Sequence, residues 1–168
     1  RPIVLVGLMG TGKSTVGRKL SGLLGKAFAD ADDAIVEASQ LTIAEIFEQY
    51  GEPYFRDGER RVIARLIDEH DGVIATGGGA FINDKTRSLI LDQAIAGWID
   101  CDIETLVERT GRRNTRPLLR DGDPREILTR LHKEREPFYS QAHIRVRSEN
   151  GPHLQTATAI IKAIDQWL

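Results

Sequence analysis

The feature that most constrains this chain is the run Gly7-Leu8-Met9-Gly10-Thr11-Gly12-Lys13-Ser14, which follows Ile3-Val4-Leu5-Val6 and opens into Thr15-Val16-Gly17-Arg18-Lys19-Leu20. Four consecutive apolar residues predict a strand buried on both faces, and the segment after Ser14 has the look of a helix start. Between them, G-x-x-x-x-G-K-S is a phosphate loop in its strand-turn-helix setting. Its glycines let successive backbone amides turn inward around an anion at a helix N-terminus. Gly10, Thr11, Gly12, Lys13, Ser14 and Thr15 are therefore candidate nucleotide-binding residues, with Lys13 reaching the outer phosphates and the Ser14 hydroxyl addressing a magnesium ion.

A length of 168 residues suits one domain with a real core. With 29% charged and 40% hydrophobic residues, the chain is neither a disordered nor a membrane composition. No apolar run approaches the roughly 20 residues that span a bilayer. The net charge of −2 gives no overall attraction to nucleic acid. Charge is nevertheless concentrated locally, since Arg109, Arg112, Arg113, Arg116 and Arg120 fall within twelve residues that contain no acid. The single cysteine, Cys101, excludes an internal disulfide, fits a reducing cytoplasmic compartment, and reads as a buried, inert thiol in a strand. A start at Arg1 fits the trimming of a few residues or of a targeting segment.

Along the chain, Val16, Leu20, Leu23 and Leu24 continue a helix that Gly25 stops. A strand at Ala27-Phe28-Ala29 runs into Asp30-Ala31-Asp32-Asp33. Thr42-Ile43-Ala44-Glu45 is a capping box for a helix ending near Gly51. A second helix is predicted from Tyr54 to Glu69, with Val62, Ile63, Leu66 and Ile67 buried. Val73-Ile74-Ala75-Thr76 is the third strand, followed by Gly77-Gly78-Gly79. Asn83 caps a helix to Leu91, Ala94 to Asp100 is a strand, and Asp102 caps a helix that Gly111 stops. Residues 112–123 read as a mobile loop, Asp123-Pro124 starts a helix to about Phe138, and a strand at His143 to Val146 precedes a last helix from about Thr156. Strands alternating with helices predict an α/β fold, a parallel sheet covered on both faces.

Four further signals narrow the chemistry. Asp30 and Asp32, taken as i and i+2 on an extended segment, place two carboxylates on one side at the ligand edge of the sheet. One can address magnesium through water while the other orients an acceptor hydroxyl; Asp33 reads as a helix cap. Arg56 offers a planar fork to a carboxylate, and Glu59 at i+3 can hold that fork. Gly77, Gly78 and Gly79 leave bare amides that suit an anion. The arginine-rich loop can close over a transferring phosphate. A nucleic-acid patch is the weaker reading of that loop, because the charge is confined to it.

Together these motifs resemble the shikimate kinases nearly end to end. The matching residues are Gly7 to Arg18, Phe28-x-Asp30-x-Asp32, Phe55-Arg56-x-x-Glu59, Gly77-Gly78-Gly79-Ala80, Arg116-Pro117-Leu118-Leu119 and Arg135-x-Pro137-x-Tyr139. The resemblance implies transfer of the ATP γ-phosphate to the 3-hydroxyl of shikimate on a single domain, residues 1–168. That domain has an NMP-kinase-like sheet of order 2-3-1-4-5, a substrate-binding region at about 31–61 and a lid at about 112–123. ATP and Mg2+ are implied, Asp30 assisting the metal and Asp32 binding the acceptor hydroxyls as a possible base. Arg56 and Arg135 would clamp the carboxylate, with Gly77, Gly78 and Gly79 beside it. Arg116 would reach the phosphates, and Arg109 would stack on adenine opposite the segment around Pro152. Arg112-Arg113 is richer in arginine than the usual lid. A monomer without nucleic-acid or membrane partners is expected.

Two rival readings remain open at this level. A gluconate-type sugar-acid kinase also uses a phosphate loop and a carboxylated polyol, but does not need the Arg-Pro-Leu-Leu run or the triple glycine. A silent ATP-binding module would be expected to lose Lys13, Asp32 or Arg116, and all three are present.

Overall fold

A computed structural model describes residues 1–111, 123–148 and 152–168. In chain order these form β1 (Ile3–Val6), α1 (Lys13–Leu24), β2 (Phe28–Asp30), α2 (Ala31–Ser39), α3 (Ile43–Tyr50), α4 (Glu52–Glu69) and β3 (Val73–Ala75). A 3-10 turn at Ala80–Ile82 leads to α5 (Asp84–Gln93), β4 (Ile95–Cys101), α6 (Ile103–Gly111), α7 (Pro124–Tyr139), β5 (Ile144–Ser148) and α8 (His153–Trp167). The five strands pair in parallel in the order β2-β3-β1-β4-β5.

The central strand shows why the sheet needs cover on both faces. Ile3 and Leu5 join Val16, Leu20, Ile144, Ala157 and Ile160 under α1 and α8. Val4 and Val6 join Ile63, Ile74, Ile90, Trp98, Leu106 and Leu128 under α4 to α7. Side chains alternate across a strand, so four apolar residues in a row supply both layers. At the sheet edge β5 alternates instead, with Arg145 and Arg147 exposed between buried Ile144, Val146 and Ser148.

Local signals set most helix ends. Thr42 and Glu45 make the reciprocal capping box of α3. The Asn83 carboxamide accepts from the amides of Lys85 and Thr86. Asp102 accepts from Thr105 N–H, and Asp123 from Arg125 N–H ahead of Pro124. Gly25 closes α1 in the left-handed region at φ 64°.

The structure corrects several expectations. The sequence reading gives no range for α2 and places a cap at Asp33; the N-cap is Asp30, accepting from the amides of Asp32 and Asp33. Asp30 and Asp32 therefore do not share one extended segment, since Asp32 lies in the first helical turn. Asp33 is exposed there and is not the cap. Helix α4 starts at Glu52, where Pro53 fits the first turn, and its buried residues include Phe55 and Glu59 whereas Val62 is half-buried. Strand β5 runs to Ser148, and Pro152 caps an α8 that begins three residues earlier than expected. The expected lid falls, apart from Asp123, at residues 112–122, outside the described residues.

Candidate active site

The phosphate loop leaves β1 and enters α1 at the middle of the sheet. Gly12 caps α1 at φ 85°, a conformation that disfavours a side chain. The Thr11 hydroxyl donates to the Leu8 carbonyl at 3.0 Å. Lys13 is buried, and its ammonium donates to the carbonyls of Gly7 and Leu8 at 2.7 and 2.8 Å. Ser14 donates its hydroxyl hydrogen to Asp30 Oδ2 at 2.5 Å, while Asp30 Oδ1 caps α2. Asp30 thus ties the phosphate-loop helix to the acidic edge of β2.

Beside that loop, three side chains from three helices lie against three successive glycines. A methyl group on Gly77 would meet Asp32 Oδ1, from α2, at 3.0 Å. On Gly78 it would meet Arg135 Nη1, from α7, at 3.5 Å and Met9 N at the same distance. On Gly79 it would meet Arg56 Nη2, from α4, at 2.2 Å. The bare backbone after β3 is what lets an acid and two guanidinium groups converge next to the phosphate loop.

Each member is held by further contacts. Arg56 Nη1 donates to Glu59 Oε1 at 2.8 Å, and Nε lies 3.5 Å from Glu52 Oε1. Its guanidinium carbon lies 5.1 Å from the Phe55 ring centre and 6.0 Å from that of Phe47 on α3. Arg135 Nη1 donates to the Gly78 carbonyl at 3.1 Å, and the Tyr139 hydroxyl donates to the same oxygen at 2.5 Å. Burial pushes the Tyr139 phenol up, so it stays a donor at neutral pH. Burial also drives the Glu59 carboxyl up to about 7, against the lowering pull of Arg56.

On the other side of the phosphate loop, Arg109 Nη1 donates to the carbonyls of Gly10 and Thr11 at 3.3 and 3.2 Å. Pro152 is exposed at the start of α8. The His153 ring, which carried no signal in the sequence, would lie 2.9 Å from a methyl on Gly12. Burial, then Arg109, holds this imidazole below its ordinary range. Arg116 lies outside the described residues. Cys101 is buried and its thiol is pushed up by burial, consistent with an inert side chain.

The sequence also gave no hint of a cluster behind α7. Asp100, only 4% exposed, lies 3.2 Å from His132 Nε2 and accepts from Arg145 Nη2 at 2.5 Å. Arg145 in turn sits 4.5 Å from the centre of the Trp98 ring. These groups brace α7, the helix that carries Arg135, against β4 and β5.

A parallel sheet with a phosphate loop on its central strand, flanked by an acid and two arginines, defines a phosphate-loop small-molecule kinase. The family model for shikimate kinase matches residues 9–165. The chain belongs to the shikimate kinase family. It is 60% identical over 172 residues to the shikimate kinase of Novosphingobium aromaticivorans, covering 100% of this chain and 89% of that one. Against the shikimate kinase of Caulobacter vibrioides it is 50% identical, over 99% of this chain and 83% of the other. A solved shikimate kinase from Acinetobacter baumannii, in complex with shikimate, matches with a TM-score of 0.92 at 37% identity, covering 98% of this chain and 93% of that one.

Proposed function

We propose that this chain transfers the γ-phosphate of ATP to the 3-hydroxyl of shikimate, releasing shikimate 3-phosphate and ADP in chorismate and aromatic amino-acid biosynthesis. The observation that carries this reading is the convergence of Asp32, Arg135 and Arg56 on Gly77, Gly78 and Gly79, one contact from the phosphate loop. An acceptor with one carboxylate and vicinal hydroxyls needs planar cationic forks at one end and a carboxylate acceptor at the other. Arg56 and Arg135 take the carboxylate, and Asp32 takes the hydroxyl that attacks, accepting its proton as charge moves to phosphorus.

On the nucleotide side, the amides of Gly10 to Thr15 cradle the phosphates at the N-terminus of α1. Lys13 exchanges its two carbonyl partners for phosphate oxygens and follows the charge that builds on them during transfer. Arg109 and the Pro152 segment flank the adenine. Arg116, assigned from the resemblance alone, adds positive charge at the transferring group. Ser14 and Asp30 offer two hard oxygen donors at hydrogen-bond distance, a set that fits Mg2+. Ser14 would hold it directly and Asp30 through water; when bound, the ion neutralises the β- and γ-phosphates.

The reading includes one kinase domain, its five strands in a single sheet, acting as a monomer. No helix among the described residues is long and apolar enough to cross a membrane. A free buried cysteine supports a cytoplasmic setting.

The product settles the reading. With MgATP and shikimate, phosphorus and proton NMR should show one phosphate ester on the 3-hydroxyl. Inorganic phosphate with unmodified shikimate would contradict it.

A further inference from the structure

Glu59 is an unusual carboxylate for a kinase surface cleft. It is 1% exposed, and only one of its oxygens is used: Oε1 accepts from Arg56, while buried Oε2 has no hydrogen-bond donor among the described residues. A carboxylate enclosed in this way is costly to keep charged, and its one compensating cation among the described residues is the guanidinium assigned to the acceptor's carboxylate. Arg56 and Glu52 face Glu59 from α4 and Asp32 from α2. Phe47 of α3 lies near the same guanidinium, Asp84 and Lys85 of α5 share a solvent-facing hollow with Arg56 and Glu52, and Arg135 of α7 sits at Gly78. Among the described residues, Arg56 lowers the Glu59 carboxyl while Asp32 and Glu52 raise it.

We propose that Glu59 takes up a proton when the acceptor's carboxylate docks on Arg56, so that acceptor affinity is linked to pH through this residue. This rests on the carboxylate-clamp reading above. Before docking, Arg56 already faces two carboxylates, buried Glu59 at 2.8 Å and exposed Glu52 at 3.5 Å. The incoming carboxylate brings a further negative charge to the same guanidinium and displaces solvent from it, and both effects favour the neutral acid at the buried member, Glu59. The proton comes from solvent and sits on Oε2, the oxygen without a donor, while Oε1 continues to accept from Arg56. The bound clamp then sets Arg56 and Arg135 against two carboxylates, Glu52 and the acceptor, rather than against three.

The direction follows from linkage. The free carboxyl titrates at about 7, so the acceptor complex binds more protons than the free protein above that range, and affinity falls as pH rises. Where the bound acid titrates about one pH unit above the free one, the Kd for shikimate weakens about sevenfold between about pH 6 and about pH 8.5. The acceptor's own carboxylate, with an ordinary pKa near 4, stays ionised throughout.

The test is calorimetric titration of the full chain with shikimate at several pH values, in two buffers of different ionisation enthalpy. Wild type should take up a fraction of a proton near neutral pH, and Glu59→Gln, which keeps a carbonyl for Arg56, should show none and a flat Kd. Uptake that survives in Glu59→Gln, or a wild-type Kd that does not move with pH, overturns the proposal. A purely structural role for Glu59 would lower affinity equally at every pH. Should the variant fail to fold, carboxyl-13C-glutamate NMR of wild type reads the same quantity: the Glu59 resonance must move to the neutral-acid position on adding shikimate near pH 7, and an unmoved resonance refutes it. Absence of shikimate binding at every pH would sink the clamp reading itself, and this inference with it.

Discussion

Arg56 lies directly over Gly79, so that a methyl group on that glycine would stand 2.2 Å from Nη2 and 2.8 Å from the guanidinium carbon. The obstructing atoms are the far end of a flexible side chain, which can swing aside. Gly79→Ala should therefore fold normally while displacing Arg56 from the clamp. Loss of a charge-assisted pair predicts a rise of about tenfold or more in the KM for shikimate, with the KM for ATP little changed. Gly72→Ala is the contrasting case, because its methyl would meet the Ala27 carbonyl oxygen, a backbone atom, at 2.2 Å. That variant should lose stability in thermal unfolding without a selective effect on either KM.

Lys13→Ala removes a charge that follows the phosphate oxygens through transfer. A loss of at least ~10² in kcat is expected. Near-normal turnover would show that the ammonium only props the loop through the Gly7 and Leu8 carbonyls.

Asp32→Asn keeps the shape at Gly77 but removes the proton acceptor. Turnover should collapse while ATP binding, followed by calorimetry, stays nearly intact. A parallel loss of ATP binding would move Asp32 to the metal side of the site.

Glu59 also makes folding stability depend on pH. Its carboxyl is raised in the folded state from 4.5 to about 7. The sign follows: its contribution is complete below about 4.5 and is lost as pH rises through about 7, because only then must the enclosed group carry charge. Without shikimate, the melting temperature of wild type should fall relative to Glu59→Gln between about pH 5 and about pH 8, by a free-energy difference on the order of a few kcal/mol at most. Parallel curves would show that Arg56 fully offsets the buried charge.

Much of this architecture was legible because its signals are local. The phosphate loop, the Thr42–Glu45 capping box, and the Asn83, Asp102 and Asp123 caps each depend on a few adjacent residues whose side chains bond the nearest amides. The strand order came with the family resemblance rather than from the pattern of apolar residues. Helix α2 escapes the sequence reading because Asp30 and Asp32 are taken as one extended segment, whereas one Asp30 oxygen caps the helix and the other meets Ser14. What local pattern cannot show is burial produced by distant elements. The i+3 spacing predicts that Glu59 holds Arg56, but not that it is buried, and Asp100, His132 and Arg145 are brought together from two strands and a helix. The pairing of each glycine with one side chain is of the same kind. Three bare residues announce close approach, but which groups approach is decided by α2, α4 and α7.

The most direct test of the central claim is steady-state release of ADP from MgATP by the purified chain, with shikimate, with gluconate and with no acceptor. The site described here predicts saturable release that requires shikimate and is near background in the other two reactions. Release that gluconate supports and shikimate does not, or ATP binding with no acceptor-dependent release at all, would contradict it.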